Sequence, residues 1–246
     1  MNPIVLIPAR MAARRLPGKP LADIGGTPMI VRVWRQATEA CVGPVAVAVG
    51  DPEIAEAISA AGGTAIVTDP ALASGSDRIL KALEQLDPKG RHDVVINLQG
   101  DMPFVDTRVL TACLDVLRRQ ASCDIATVVA PEASQSDRVN PDVVKAVLAM
   151  EPDRQSGRAL YFTRGVLWGD EPIWRHVGIY GYRRAALERF NASPPSPLER
   201  RESLEQLRAL ELGLSIWAAV TPVAPVSVDT PADLAAARIF AESNPR

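Results

Sequence analysis

Four cations crowd one short segment: Arg10, Arg14, Arg15 and Lys19 lie within ten residues, around Pro17-Gly18. Arginine forks and a compact ammonium match the oxygens of a polyphosphate, and glycine lets backbone come close to a ligand. Lysine is scarce, with only Lys19, Lys81, Lys89 and Lys145 in the chain, which singles out the one in this loop. Two carboxylates further on suggest a second chemistry: Asp101 follows the apolar run that ends at Leu98, and Asp229 precedes Pro231. If they converge they would hold Mg²⁺, which takes oxygen ligands and usually shares them with substrate phosphates. Plainer readings exist for each. The basic loop can be a solvated face, Asp229-Thr230-Pro231 only a helix cap, and Gly100-Asp101 only a turn.

What must position these residues is legible in the alternation of elements. Pro3–Ile7 reads as a buried strand, and the basic loop follows it directly, which favours the ligand-binding reading. A helix over Pro28–Ala40, capped by Thr27 with Pro28 at its first position, comes next. Strands over 45–49, 64–67, 93–98 and 124–129 then alternate with helices over 52–61, 77–86 and 106–119. Repeated β-α-β predicts an α/β fold with a mostly parallel, Rossmann-like sheet and helices on both faces. In such folds ligands bind at the carboxyl ends of strands, here the loops after Ile7, Val49 and Leu98. Beyond about residue 131 the rhythm changes. Strand-like runs over 143–148 and 177–182 flank a polar, irregular stretch, a helix covers Ser196–Leu212, a strand 215–220, and a final helix starts at Asp229-Thr230-Pro231. The chain reads as one domain over 1–246, with an inserted α+β segment of about 140–215 that covers the site or makes a dimer contact.

The composition narrows the options. The chain has 246 residues with 27 basic and 29 acidic side chains, so it lacks the broad positive surface of a general nucleic-acid binder. Three cysteines without a CxxC, and two distant histidines, fit neither a disulfide framework nor a zinc site. The three cysteines, Cys41, Cys113 and Cys123, read as small core residues. The longest uncharged stretch, 212–228, contains Pro222 and Pro225 and is short of a membrane span, so a cytoplasmic protein without membrane partners is the expectation. Neither GxxxxGK[ST] nor GxGxxG occurs, which disfavours a Walker loop and a dinucleotide-dependent oxidoreductase. No GxSxG or Cys–His pairing suggests a covalent nucleophile.

Seven blocks in order resemble the 3-deoxy-manno-octulosonate cytidylyltransferase (CMP-KDO synthetase) family. They are Ile7-Pro8-Ala9-Arg10 with Arg15-Leu16-Pro17-Gly18-Lys19-Pro20-Leu21, Ser74-Gly75-Ser76-Asp77-Arg78, Asn97-Leu98-Gln99-Gly100-Asp101, Ala159–Arg164, His176–Arg183, Ser196-Pro197-Leu198-Glu199 with Leu204–Arg208, and Val228–Pro231. The resemblance implies transfer of the cytidylyl group of CTP to the anomeric hydroxyl of KDO, for lipopolysaccharide assembly, by a homodimer with Mg²⁺ as cofactor. It implies Ala9, Arg10, Arg15, Lys19, Ser74, Gly75 and Arg78 as nucleotide contacts, with Arg10, Arg15, Lys19 and Asp101 catalytic and Asp101 and Asp229 on the metal. It implies Gln99, Arg164, His176, Tyr180, Glu205 and Gln206 as sugar contacts, Arg164 suiting the sugar carboxylate by its fork.

Alternatives stay open at this stage. Ser74 also fits a helix cap, His176 a satisfied core histidine, and Glu199, Glu202, Glu205 and Gln206 a solvated helix face. The acceptor could be another acidic sugar, amino-KDO or sialic-type, and a nucleotide-binding relative without activity is the non-enzymatic reading. Three departures from the family pattern stand out. Met102 replaces an acidic residue, the segment between Arg164 and His176 is short, and Val49-Gly50-Asp51 leaves Asp51 without a role.

Overall fold

The computed structural model describes residues 1–12, 15–132, 134–169 and 171–244, so Arg14 lies outside the described residues. The chain forms two compact units, one from Asn2–Arg108 with Pro225–Arg246, the other from Val109–Ala224 with Met1. The segment set apart by sequence, about 140–215, lies inside the second of these.

In the first unit β1 (Pro3–Ala9) leads into the basic loop and a 3-10 turn at Lys19–Leu21. A two-residue pair, β2 (Asp23–Ile24) and β3 (Thr27–Pro28), precedes α1 (Met29–Glu39). The helix therefore starts one residue later than its sequence signals suggest. Thr27 and Pro28 are committed to antiparallel pairing with Ile24 and Asp23, so Thr27 cannot cap. Then follow β4 (Val45–Val49), α2 (Pro52–Ala60), β5 (Thr64–Val67), α3 (Gly75–Leu86) and β6 (Val94–Asn97). The order β5-β4-β1-β6 is parallel throughout. Val5, Leu6, Ile7, Val47, Val49 and Ile96 are fully buried, which is why these strands read as unbroken apolar runs. Each such side chain contributes roughly 1.5–3 kcal/mol by leaving water.

The helix α4 (Thr107–Arg119) carries the chain into the second unit. There β7 (Ile125–Glu132), α5 (Gln135–Val139), β8 (Lys145–Met150), β9 (Ser156–Thr163) and β10 (Ile173–Arg183) follow in turn. After α6 (Arg184–Asn191), α7 (Pro197–Glu202) and α8 (Gln206–Glu211) comes β11 (Ile216–Val220). The order is β10-β7-β11-β9-β8, with β11 parallel to β7 and the other pairs antiparallel. Two expectations are corrected here. The stretch read as irregular contains β9, an eight-residue strand between β11 and β8. The helix read over Ser196–Leu212 is two helices, because Ser203 takes a left-handed conformation (φ 54°) that no α-helix continues through. Its start was read correctly: Ser196 caps α7 in a reciprocal arrangement with Glu199.

The last helix, α9 (Pro231–Ser243), returns to the first unit. It packs Leu234, Ala237 and Ala241 with Ile24, Met29 and Val228, joined by Leu16 and Phe104. No described helix is long and apolar enough to cross a membrane. Cys113 and Cys123 are buried, but Cys41 is exposed at the end of α1, which corrects its reading as a core residue.

Candidate active site

The described ends of the basic loop are tied together. Met11 O accepts from Gly18 N at 3.3 Å, and the 3-10 turn continues with Leu21 N to Gly18 O at 3.0 Å. Gly18 has φ +72°, a left-handed conformation that favours glycine and turns the chain so that Lys19 follows at once. The side chains of this loop, with those after β6 and before α9, line a cavity of about 900 Å³. Ala9, Arg10, Arg15, Lys19, Ser74, Gly75, Arg78, Gln99, Asp101 and Asp229 all border it. That is every nucleotide and metal residue expected from the sequence, together with one of the sugar contacts.

Lys19 sits at the centre of the charge arrangement. Its Nζ donates to Asp101 Oδ2 at 2.9 Å and to Asp229 Oδ1 at 3.0 Å, and its side chain is only 15% exposed. Burial works against this ammonium, but the two carboxylates outweigh it and its pKa is raised. Burial raises the Asp101 carboxyl, with the Lys19 charge pulling the other way. Arg15, 60% exposed, reaches Asp229 Oδ2 at 3.1 Å. The two aspartates meet because Val228 N donates to Asp101 O at 2.9 Å, so Asp229 lies beside Asp101 although the segments are distant in sequence. Val228 is fully buried, which anchors this junction in the core.

Asp229 is not the helix cap. Thr230 takes that place, accepting from Asp233 N while the Asp233 carboxylate takes Thr230 N, which leaves the Asp229 side chain for cations. No group of three or more His, Cys, Asp or Glu among the described residues could hold a metal ion. A pair of carboxylates that already shares one ammonium nevertheless fits a divalent cation, whose other ligands would be phosphate oxygens and water. Gly100 is required by close approach: a Cβ there would lie 2.9 Å from Pro8 O and 3.1 Å from Ile30 Cδ1. Met102 is 6% exposed and belongs to the core, not to the charge cluster.

The Ser74 and Arg78 side chains have structural partners. Ser74 Oγ caps α3 by accepting Asp77 N at 3.1 Å. Arg78, 2% exposed, donates to Thr68 Oγ1 at 2.6 Å and to Asp69 O at 3.2 Å, so its guanidinium holds the segment after β5. Asp51, without a role by sequence, accepts the Met11 N–H at 2.8 Å.

Arg164, His176, Tyr180, Glu205 and Gln206 belong to the second unit. His176 Nε2 is 3.0 Å from Thr127 Oγ1, which itself donates to Ile179 O at 2.9 Å, so the ring nitrogen is the donor to Thr127. Desolvation pushes its pKa down to about 3 and keeps the imidazole neutral. Tyr180 packs beside it with ring centroids 5.5 Å apart, although β10 shifts register between Val177 and Tyr180. Burial raises the Tyr180 phenol well above its ordinary value, so it stays protonated. Gln206 is 7% exposed and its Nε2 has no hydrogen-bond partner among the described residues, whereas Glu205 is exposed.

Arg164 differs from expectation. Its guanidinium donates to Glu202 O at 3.2 Å and Pro141 O at 2.9 Å, and its carbonyl accepts from Lys145 Nζ at 3.1 Å. Glu202 is not a solvated face residue either: it accepts from Tyr161, Thr163 Oγ1 and Arg164 N. Burial works to raise the Glu202 carboxyl, but these bonds outweigh it and lower its pKa. Glu199 is likewise buried, paired with Arg208 at 2.9 Å. By sequence Glu202 reads only as a solvated face and Lys145 has no role assigned; for Lys145 a lysine inside the apolar run Val143–Leu148, in a chain with four lysines, was the available signal.

Comparison with known proteins gives a consistent pattern. Residues 4–216 match the family model described as cytidylyltransferase. A 3-deoxy-manno-octulosonate cytidylyltransferase of Parvibaculum lavamentivorans is 55% identical over 238 residues, 96% of this chain and 92% of that one. Its counterpart in Bradyrhizobium sp. is 56% identical over 236 residues, 96% of this chain and 95% of that one. The solved structure of a CMP:2-keto-3-deoxy-manno-octonic acid synthetase complexed with CTP superposes with a TM-score of 0.90 at 36% identity, covering 99% of both chains. The 4-diphosphocytidyl-2C-methyl-D-erythritol synthase of Anaerococcus prevotii shares the fold at 11% identity, with a TM-score of 0.66 and 98% coverage of both chains.

Proposed function

The chain belongs to the cytidylyltransferase family, and from that premise we propose that it transfers the cytidylyl group of CTP to the anomeric hydroxyl of KDO, releasing pyrophosphate. The observation that carries this reading is the 900 Å³ cavity in which Arg10, Arg15 and Lys19 border the same space as Asp101 and Asp229. The hydroxyl oxygen attacks the α-phosphorus as its proton passes to solvent, the bond from that phosphorus to the bridging oxygen breaks, and pyrophosphate departs with the electron pair. Such transfers depend on alignment and charge neutralisation, not on a covalent intermediate with the protein. Arg10, Arg15 and Lys19 neutralise the leaving pyrophosphate, where negative charge builds. Lys19 and Arg15 are paired with carboxylates, and transferring these cations to phosphate exchanges one anionic partner for another. Asp101 and Asp229 would hold Mg²⁺, which when bound supplies a Lewis acid at the phosphate and lowers the pKa of the sugar hydroxyl.

Ser74 and Gly75 line the nucleotide side, and Arg78 supports it through the segment after β5. On the sugar side we assign Gln99, Arg164, His176, Tyr180, Glu205 and Gln206. The buried amide of Gln206 and the neutral His176 and Tyr180 support this, since uncharged donors and acceptors suit sugar hydroxyls. Two Arg164 donors are already engaged, so what it offers the sugar carboxylate is the remainder of its fork. A homodimeric assembly in the cytoplasm belongs to the same proposal.

The test is pyrophosphate release from CTP across a panel of acidic sugars, with Mg²⁺ and with a chelator. Fastest release with KDO, abolished by the chelator, is expected. A faster rate with amino-KDO or a sialic-type acid, or no release with any acceptor, overturns the assignment.

A further inference from the structure

Asp51 occupies the N-cap position of α2, where an aspartate ordinarily accepts a backbone N–H of its own helix. It does not do so: its backbone is extended (φ −134°, ψ 136°), as at the capping residues Ser74 and Thr230, yet its side chain makes no capping bond. The carboxylate instead reaches a residue 40 positions away, where Oδ2 accepts the Met11 N–H at 2.8 Å. One residue earlier, Gly50 N donates to Ala9 O at 3.1 Å. Arg10 is therefore flanked by two bonds to the same two-residue stretch, one on each side. Met11 is also held at its carbonyl by Gly18 N, and Gly18 immediately precedes Lys19. A chain of contacts thus runs from Asp51 through Met11 to Gly18, and both Arg10 and Lys19 hang from it.

Asp51 does not line the cavity, although the loop it grips does. An anion beside a phosphate pocket opposes the binding of phosphate unless it organises cations in return. The bond from Met11 N to its carboxylate is that second use. Arg78 is affected most by burial, which lowers its pKa; Arg10 adds to this lowering, and Asp51 works in the opposite direction.

We infer that Asp51 is a positioning residue for the phosphate-binding loop, acting through Met11 to fix Arg10 and Lys19 for the β- and γ-phosphates. The inference rests on the reading of that loop as a triphosphate cradle.

The experiment compares Asp51→Ala and Asp51→Asn with the unaltered chain by calorimetric titration of CTP and of CMP, alongside thermal melting. Asp51→Ala should weaken CTP binding by about tenfold, the scale of one hydrogen bond to a carboxylate. CMP, which lacks the two outer phosphates, should bind as before, and Asp51→Asn, which keeps an acceptor oxygen, should recover most of the loss. Four results overturn the inference: unchanged CTP affinity in Asp51→Ala, an equal loss for CMP, an Asn variant as weak as Ala, or an Asp51→Ala chain that melts early or fails to fold. Lys19→Met separates the two levels. If it too leaves CTP affinity unchanged, the cradle reading fails; if it weakens CTP while Asp51→Ala does not, only the role of Asp51 fails.

Discussion

Lys19 and Lys145 are both largely withdrawn from water, yet they are held in opposite ways. Lys19, in the unit of parallel strands, is bound by two carboxylate side chains. Lys145, fully buried in the second unit, donates to the backbone carbonyls of Asn140 and Arg164. The same contrast separates Arg15, paired with Asp229, from Arg164, tied to the carbonyls of Glu202 and Pro141. An ion pair at a cavity can trade partners, a phosphate replacing the carboxylate for the cation, provided that another cation takes the ammonium's place beside the carboxylates. A charge bound to main-chain carbonyls cannot leave without exposing groups that must stay paired. The first arrangement suits catalysis, the second suits construction, and substitutions should sort accordingly.

The largest effect expected is on chemistry alone. Asp101→Asn should lower pyrophosphate release by about a thousandfold, while the melting temperature stays near that of the unaltered chain; near-normal Mg²⁺-dependent turnover would remove Asp101 from the site. Lys19→Met should cost about a hundredfold in kcat/KM, the scale of one preorganised cation at a developing charge. In the second unit the readout reverses. Glu202→Ala should destabilise the fold by about 2–3 kcal/mol, since it strands three donors, and denaturant unfolding measures it. A Glu202 variant that kept full stability and lost only turnover would break the comparison.

A smaller effect separates the units by pH. The His176 pKa in the folded chain, about 3, lies below that of an unfolded histidine. The unfolded state therefore gains its proton first on acidification, and this residue's contribution to stability is lost as pH falls below about 6.5. Melting curves of His176→Gln and the unaltered chain should draw together between pH 7 and pH 5; parallel curves would contradict a neutral His176. The smallest effect is on the thiols. Cys41 should react with iodoacetamide in the folded chain while buried Cys113 and Cys123, the latter with its pKa pushed up to about 12, should not.

How much could be read without coordinates follows the same division. That Arg10, Arg15, Lys19, Asp101 and Asp229 border one cavity was legible because the basic loop follows β1, Asp101 follows β6 and Asp229 precedes α9, whereas Ala9 came from the family resemblance alone. Arg164 was legible as a fork but not as a fork already in use, because its partners, Pro141 and Glu202, are brought to it by tertiary structure. The strand β9 was missed since Gln155-Ser156-Gly157-Arg158 reads as a polar loop and only pairing with β8 and β11 makes it a strand. The helix over 196–212 was overextended because its end signals, Pro197 and Gly213, are genuine and neither reports the interior break at Ser203. Thr230-Pro231-Ala232-Asp233 carries the spacing of a reciprocal cap, so the sequence itself holds the reason why the plainer reading of Asp229, as the cap, does not apply.

The bond from Val228 N to Asp101 O has a consequence for biosynthesis. Lys19 and Asp229 are 210 residues apart in sequence, so their pairing does not exist until residue 229 has emerged. A nascent or truncated product ending before Val228 would carry the basic loop and Asp101, and so attract phosphate, without the second carboxylate. Emergence of the segment before the last helix is thus the step that adds the second carboxylate to an anion-binding surface, and contacts of such long separation are among the slower ones to form.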